Sequence, residues 1–206
     1  IRRQRQMCIR DSIYTYLAWV RKRGVSDHTQ HRRHREVRFL FVWLERLGYV
    51  KANPFKHIRN IKLPQKVIRP VSAEDIRKLL AAPFPSEFLG ARNKAIILLL
   101  LDTGIRLNEL ISLELEDLDV AAQRLQILNG KIKKQRLVRV GDTALEAPKH
   151  YPAVRRDQPG QLFLSKHGRT IRPNSIRVMF RRLAERASVP HAHPHKFRHT
   201  FATWAI

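Results

Sequence analysis

The 206-residue sequence holds a single cysteine, Cys8. No internal disulfide can form and no multi-cysteine metal site can assemble, which suits a reducing compartment. Acidic residues are scarce: 17 Asp+Glu stand against 41 Lys+Arg, a formal net charge of +24 with the 10 histidines taken as neutral. Long apolar runs are also missing. The longest, Ala95 to Leu101, falls far short of the roughly 20 residues that cross a bilayer. No charged-then-apolar N-terminal pattern ends in a small-residue cleavage site, so a secretory leader is not expected. There are no internal repeats and no low-complexity tract. With 43% hydrophobic residues the chain can fill a core, which excludes disorder from low hydrophobicity. A charge of this size repels itself and favours a polyanionic partner. Nucleic acid is the first candidate and an anionic membrane surface the second.

The chain opens on Ile1, so a fragment is expected. Residues 2–12 (RRQRQMCIRDS) resemble translated sequencing-adapter sequence, so residues 1–12 are expected to be non-native and without function; the other reading is a basic N-terminal arm. From Ile13 the spacing is helical, with Ile13, Tyr16, Leu17 and Val20 in one stripe and Gly24 closing it. Ser26 or Asp27 can cap a second helix, striped by Val37, Leu40, Phe41, Leu44 and Leu47 and closed by Gly48. Its other side, with Arg32, Arg33, Arg35, Arg38 and Arg46, suits a helix lying on DNA, or simply a solvated basic face. Asn53-Pro54 starts a further turn. Residues 1–62 thus read as a helical domain and 63–71, with Pro64 and Pro70, as a linker. Residues 1–70 carry 18 Lys+Arg against 4 Asp+Glu and residues 71–206 carry 23 against 13. Both halves are basic, so both are expected to touch the same polyanion.

In residues 72–206, Ser72-Ala-Glu-Asp75 approximates a capping box ahead of a helix to Leu80. An apolar helix from Arg92 to Thr103 stops at Gly104, and a short helix covers Leu107–Leu113. Arg124–Leu128 and Arg136–Val140 read as two strands about a turn at Asn129-Gly130-Lys131. Asp142–Tyr151 reads as a helix, Leu162–Leu164 as a short strand, Pro173–Arg186 as a helix with Pro in its first turn, and His195–Trp204 as a final, interrupted helix. The class is mainly α with a small antiparallel sheet (α+β).

Three segments carry chemistry. In Thr103-Gly-Ile-Arg106-Leu-Asn-Glu109-Leu110, Glu109 lies one turn after Arg106 and can orient its guanidinium as an anion clamp; an ordinary surface ion pair is the alternative. In His195-Lys-Phe-Arg198-His199-Thr-Phe-Ala-Thr203, His195 and Arg198 project together, which suits a phosphate; the alternative is a helix that merely exposes basic residues. Lys131 sits at the hairpin tip, followed by Lys134 and Arg136; a plain turn lysine is the alternative there.

Together these segments resemble the tyrosine recombinases, the phage-integrase family, over nearly the whole chain after residue 12. The resemblance implies an N-terminal SAM-like core-binding domain and a catalytic domain over 72–206, cut short. It implies metal-free transesterification of DNA with no cofactor. Arg106 and Arg198 would hold the scissile phosphate. His195 would move a proton or bond the phosphate, and Lys131 would protonate the departing 5′-oxygen. Glu109 would support the site and His199 would buttress the helix bearing Arg198. Lys134, Arg136, Arg177 and Arg181 are further DNA contacts on this reading. The family's nucleophilic tyrosine lies beyond the HxxR motif, whereas the tyrosines here are Tyr14, Tyr16, Tyr49 and Tyr151. Tyr14 and Tyr16 read as core-stripe residues. The 206 residues are therefore expected to bind DNA without cleaving it.

The implied partners are duplex DNA and further copies of the chain, a tetramer in the full-length family, in a prokaryotic, nucleoid-associated cytoplasmic setting with no membrane. A non-catalytic DNA-binding protein is the alternative function; a type IB topoisomerase shares the same residue logic but fits the separate helical domain less well. The clustered His191, His193, His195 and His199 invite a metal site, but Pro190 and Pro194 interrupt them and no acidic residue lies between. No metal is expected.

Overall fold

The computed structural model describes residues 2–59, 63, 69–128, 135–155 and 160–205. The chain forms two compact units, residues 1–67 and 68–206.

The first unit is a pair of helices, α1 (Arg2–Lys22) and α2 (Asp27–Arg46), followed by a 3-10 turn over Pro54–His57. Gly24, at φ 64°, turns the chain between the helices, and Ser26 caps α2 by accepting the Thr29 N–H at 3.4 Å. Helix α1 begins well ahead of Ile13, so the apolar stripe marks only its second half. Ile13, Val20, His34 and Phe55 are buried. The His34 ring meets Phe55 edge-on at 5.2 Å and Phe41 lies 5.9 Å from Phe55.

Helix α2 departs from its expected two-sided pattern. Val37, Phe41 and Leu44 are half-buried, but Leu40 and Leu47 are exposed, as are Phe39, Val42 and Trp43. Apolar residues at 37, 39–44 and 47 wrap around more than one stripe of a helix, and one neighbouring helix covers only one stripe. Tyr14 also points outward, because Ile13 and Val20 set the inward line of α1.

The second unit holds α3 (Ala73–Ala81), α4 (Glu87–Thr103), α5 (Leu107–Ser112), strands β1 (Leu118–Asp119), β2 (Arg124–Leu128) and β3 (Gln135–Arg139), then α6 (Asp142–Arg155), α7 (Pro173–Arg186) and α8 (Pro194–Trp204). Helix α4 is apolar all round and is accordingly the central helix. Ala95, Ile96, Ile97, Leu99 and Leu100 are fully buried, and α6 and α8 pack against it. It starts at Glu87, not Arg92, because Ser86 caps it through the Leu89 N–H. Arg92 is itself buried: its guanidinium bonds the Leu164 carbonyl at 2.9 Å and Asn93 Oδ1 at 2.9 and 3.1 Å.

The sheet is antiparallel in the order β1-β2-β3, with Ile127 opposite Arg136 and Leu125 opposite Val138. The two-residue β1 was not legible in the sequence. The expected strand at Leu162–Leu164 does not form. Its three side chains are all buried, which leaves no alternation, and only isolated bridges occur, Gln161 with Glu114 and Leu164 with Thr170. Helix α8 is uninterrupted, because Pro194 occupies its first turn, where no backbone N–H is required. The Val71 N–H donates to Thr200 Oγ1 at 2.8 Å and ties the start of the unit to α8.

Leu99 has no exposed surface. Leu99→Ala is expected to destabilise the second unit by about 2–5 kcal/mol through lost burial and a residual cavity, read by urea unfolding followed by circular dichroism. A loss below about 1 kcal/mol would contradict a close-packed core around α4.

Candidate active site

Glu109 organises the site. It lies one turn into α5 and is only 7% exposed. Its carboxylate accepts the Arg106 backbone N–H at 2.8 Å and the Arg106 guanidinium at 3.1 Å. From β3, Arg136 donates both ends of its fork to the same carboxylate, at 3.1 and 2.8 Å. Burial alone would raise the pKa of Glu109. The Arg136 fork, the Arg106 backbone N–H and the Arg106 side chain override burial and hold it down at about 2. Reciprocally, the Glu109 carboxylate raises the pKa of Arg136.

Arg106 is therefore pinned by its inner edge while its side chain stays 62% exposed. Two residues earlier, Gly104 ends α4 in the left-handed region at φ 56°. A Cβ there would overlap the Phe201 ring of α8, so glycine is required twice over. The Gly104 carbonyl accepts a hydrogen bond from Arg198 Nη1. Arg198 is thus held against the loop that leads into Arg106.

His195 stands on α8 one turn before Arg198 and meets His199 edge to face at 4.6 Å. His193 is the N-cap of α8; its Nδ1 accepts the Lys196 N–H at 3.3 Å. Burial first, and then the neighbouring His195, Lys196, His191 and His199, push its pKa down. The neutral ring this favours is the form that can accept that bond. Among the described residues, no three His, Cys, Asp or Glu side chains are placed to hold a metal ion, and no helix is long and apolar enough to cross a membrane.

The structure joins Arg106, Glu109 and Arg136 directly and anchors Arg198 on the Gly104 carbonyl, two residues before Arg106. Lys131 and Lys134 lie outside the described residues. Arg136, expected as a phosphate contact, gives two donors to Glu109 and stays partly exposed. Arg177 and Arg181 are exposed on α7. In the first unit, Arg32 and Arg33 each pair with Glu36 at 3.0 Å, while Arg35 and Arg38 are exposed. Sequence reasoning missed the Arg136–Glu109 fork and the cap at His193. The signal for the first was strand alternation, which puts Arg136 on the same inward side as Val138, where a cation needs a carboxylate.

Residues 69–206 match the model of the phage integrase family, and the chain belongs to that family, the tyrosine recombinases. It is 33% identical over 193 residues to tyrosine recombinase XerC of Thermodesulfovibrio yellowstonii, covering 88% of this chain and 63% of the relative. To XerC of Alcanivorax borkumensis it is 36% identical over 193 residues, covering 90% and 62%. The chain thus spans a little under two thirds of the length of these curated relatives. Among solved structures, it superposes on XerH site-specific recombinase bound to a palindromic difH substrate with a TM-score of 0.79 at 22% identity, over 95% of this chain and 61% of that one. The Tn1549 transposon integrase in complex with transposon right-end DNA gives 0.74 at 20% identity, over 92% and 70%. At these identities the structural likeness establishes the fold.

Because the Glu109 pKa is depressed in the folded state, its ion network adds stability above the ordinary carboxylate value of 4.5. That contribution is lost as pH falls towards about 2. The stability gap between the wild type and Glu109→Gln is expected to be widest above pH 5 and to shrink steadily towards pH 2.5, measured by denaturant unfolding at each pH. A gap independent of pH would remove the network. Gly104→Ala is expected to destabilise the unit by more than about 1 kcal/mol, read as a lowered midpoint in thermal melts, since it adds both backbone strain and overlap with Phe201.

Proposed function

We propose that this chain supplies the phosphate-holding and DNA-gripping parts of a site-specific recombinase that exchanges strands of duplex DNA through a 3′-phosphotyrosine intermediate, without metal or cofactor. The observation that carries this reading is the anchoring of Arg198 on the Gly104 carbonyl, two residues before Arg106. The second guanidinium is thereby anchored on the loop that leads into Arg106, from a distant stretch of chain. Arg106 keeps exposed donors after pairing with Glu109, so both arginines can bond the non-bridging oxygens of one phosphodiester and offset the charge that builds in its pentacoordinate transition state.

In the transesterification, a tyrosine oxygen bonds the phosphorus as the bond to the 5′-oxygen breaks. His195, one turn from Arg198, takes the tyrosine proton or bonds the phosphate. Lys131 gives a proton to the departing 5′-oxygen. The phosphotyrosine keeps the energy of the broken bond, so the rejoining step needs no nucleotide. Arg32, Arg33, Arg35 and Arg38 on α2 and the basic residues of the second unit would grip the backbone as a cytoplasmic, nucleoid-associated clamp, with further copies assembling on the DNA.

A second reading, DNA binding without cleavage, is favoured for these 206 residues by the position of Tyr151. It is the one tyrosine of the second unit, it is fully buried, and its hydroxyl accepts the Leu164 N–H at 3.1 Å. No attacking hydroxyl is available from it.

The 206-residue chain is expected to bind duplex DNA with an affinity that falls steeply with salt, by about 0.9 in the log–log slope for each phosphate neutralised. Fluorescence anisotropy across a salt series reads this, and salt-insensitive binding would sink the clamp. In a protein extended through the nucleophilic tyrosine, a suicide substrate should trap a covalent protein–DNA adduct. Arg106→Ala and Arg198→Ala should each lower its rate of formation by about 100-fold or more, the cost typical of losing one preorganised donor. Undiminished adduct formation in both would defeat the role assigned to these arginines.

A further inference from the structure

Helix α8 has two sides. Phe197 and Thr200 are fully buried, whereas His195 is exposed and Arg198 is half-buried. On the buried side the Phe197 ring lies 5.0 Å from that of Phe180 on α7, and Phe201 packs against Gly104. Apolar contacts of this kind are non-directional. They fix where the helix lies more firmly than how far it is turned about its own axis.

Thr200 supplies the directional contact. Its hydroxyl accepts the Val71 N–H at 2.8 Å and donates to the Lys196 carbonyl at 3.0 Å. One oxygen thus joins a residue 129 positions away in sequence to the first turn of α8, the turn from which His195 and Arg198 project. Val71 is itself buried and stands directly before Ser72, the N-cap of α3. The bond to Thr200 therefore satisfies a buried backbone donor. Helix formation does not call for this residue: threonine is a mediocre helix former, and its bond to the carbonyl four residues back competes with the helical ladder. What the hydroxyl adds is the tertiary bond.

We propose that Thr200 is a positioning residue for the transesterification. By bonding Val71 it sets the rotation of α8 about its axis, and so the point at which the Arg198 guanidinium meets the phosphate. A turn of roughly 10° moves a group about 6 Å from a helix axis by about 1 Å, and a misplacement of about 1 Å can lower a rate on the order of 100-fold. The Gly104 carbonyl holds the guanidinium, and Thr200 holds the helix that carries it. This inference rests on the recombinase reading. It adds to that reading a buried, uncharged residue that acts only through another side chain.

The test uses the protein extended through the nucleophilic tyrosine, with the rate of covalent adduct formation on a suicide substrate as the readout. Thr200→Val keeps the shape of the side chain and removes the hydroxyl. It should slow adduct formation by about tenfold or more, and Thr200→Ser, which keeps the hydroxyl, should restore most of the rate. The deciding variant combines Thr200→Val with Arg198→Ala. If Thr200 acts through Arg198, the double variant should react as fast as Arg198→Ala alone, within about twofold, because the group to be placed is already gone. A merely structural loss would lower the folded fraction in either background, so the two losses would multiply. That result, a Ser variant as slow as the Val variant, or a loss below about twofold in Thr200→Val would overturn the positioning role and leave the recombinase reading intact. Thermal melts set the assay temperature below the transition of every variant. If the wild type forms no adduct, or Arg198→Ala forms it undiminished, the recombinase reading fails and the positioning role with it.

Discussion

A carboxylate buried between two arginines governs the second unit. In a chain so poor in acids, Glu109 is placed where four N–H donors converge on it, two from Arg106 and two from Arg136. An isolated carboxylate would not survive at that depth as an anion. Its burial therefore commits three elements at once: the start of α5, the side chain of Arg106 and the register of β3. The charge count is equally consequential. One negative charge against two positive ones leaves the group cationic before Arg198 is added. The carboxylate fixes the geometry without cancelling the positive field of the group.

The helical part of the fold was legible because the deciding signals are local. Ser26, Ser72 and Gly104 marked helix ends correctly, and Pro173 opened α7. The errors share a different origin. Leu162–Leu164 looked like a strand because it is apolar and short, yet a strand is defined by a partner, and no sequence window reports one. The expected start at Arg92 follows the apolar run, whereas the helix begins at the Ser86 cap ahead of that run. On α2, periodicity picked one stripe from a helix whose apolar residues form more than one, so Leu40 and Leu47 were assigned inward and lie outward.

The candidate site shows the same division. Arg106 with Glu109, and His195 with Arg198, are pairs three residues apart on helices, so their proximity follows from helical geometry alone. The fork from Arg136 crosses 27 residues of sequence, and only strand alternation hinted at it. What Arg136 does also changes its chemical meaning. A guanidinium that looks like a free phosphate contact in a basic hairpin spends two donors on Glu109. Counting cations therefore overstates how many donors are free: Arg32 and Arg33, each paired with Glu36 in the first unit, likewise keep only part of theirs.

Gly104 explains how residues 94 apart in sequence come to meet. A helix ends with carbonyls that have no partner within the helix. In the left-handed conformation, the chain turns away at Gly104 and leaves its carbonyl facing α8. The missing side chain lets Phe201 pack against the turn, and that contact fixes the approach of α8 to the end of α4. Arg198, one turn before Phe201 on the same helix, is then carried to the Gly104 carbonyl. Any larger residue at 104 would both disfavour the turn and push Phe201 away, so Arg198 would lose its anchor on the loop before Arg106 even with every cation still present. The position of the second guanidinium thus depends on a residue that bears no charge at all.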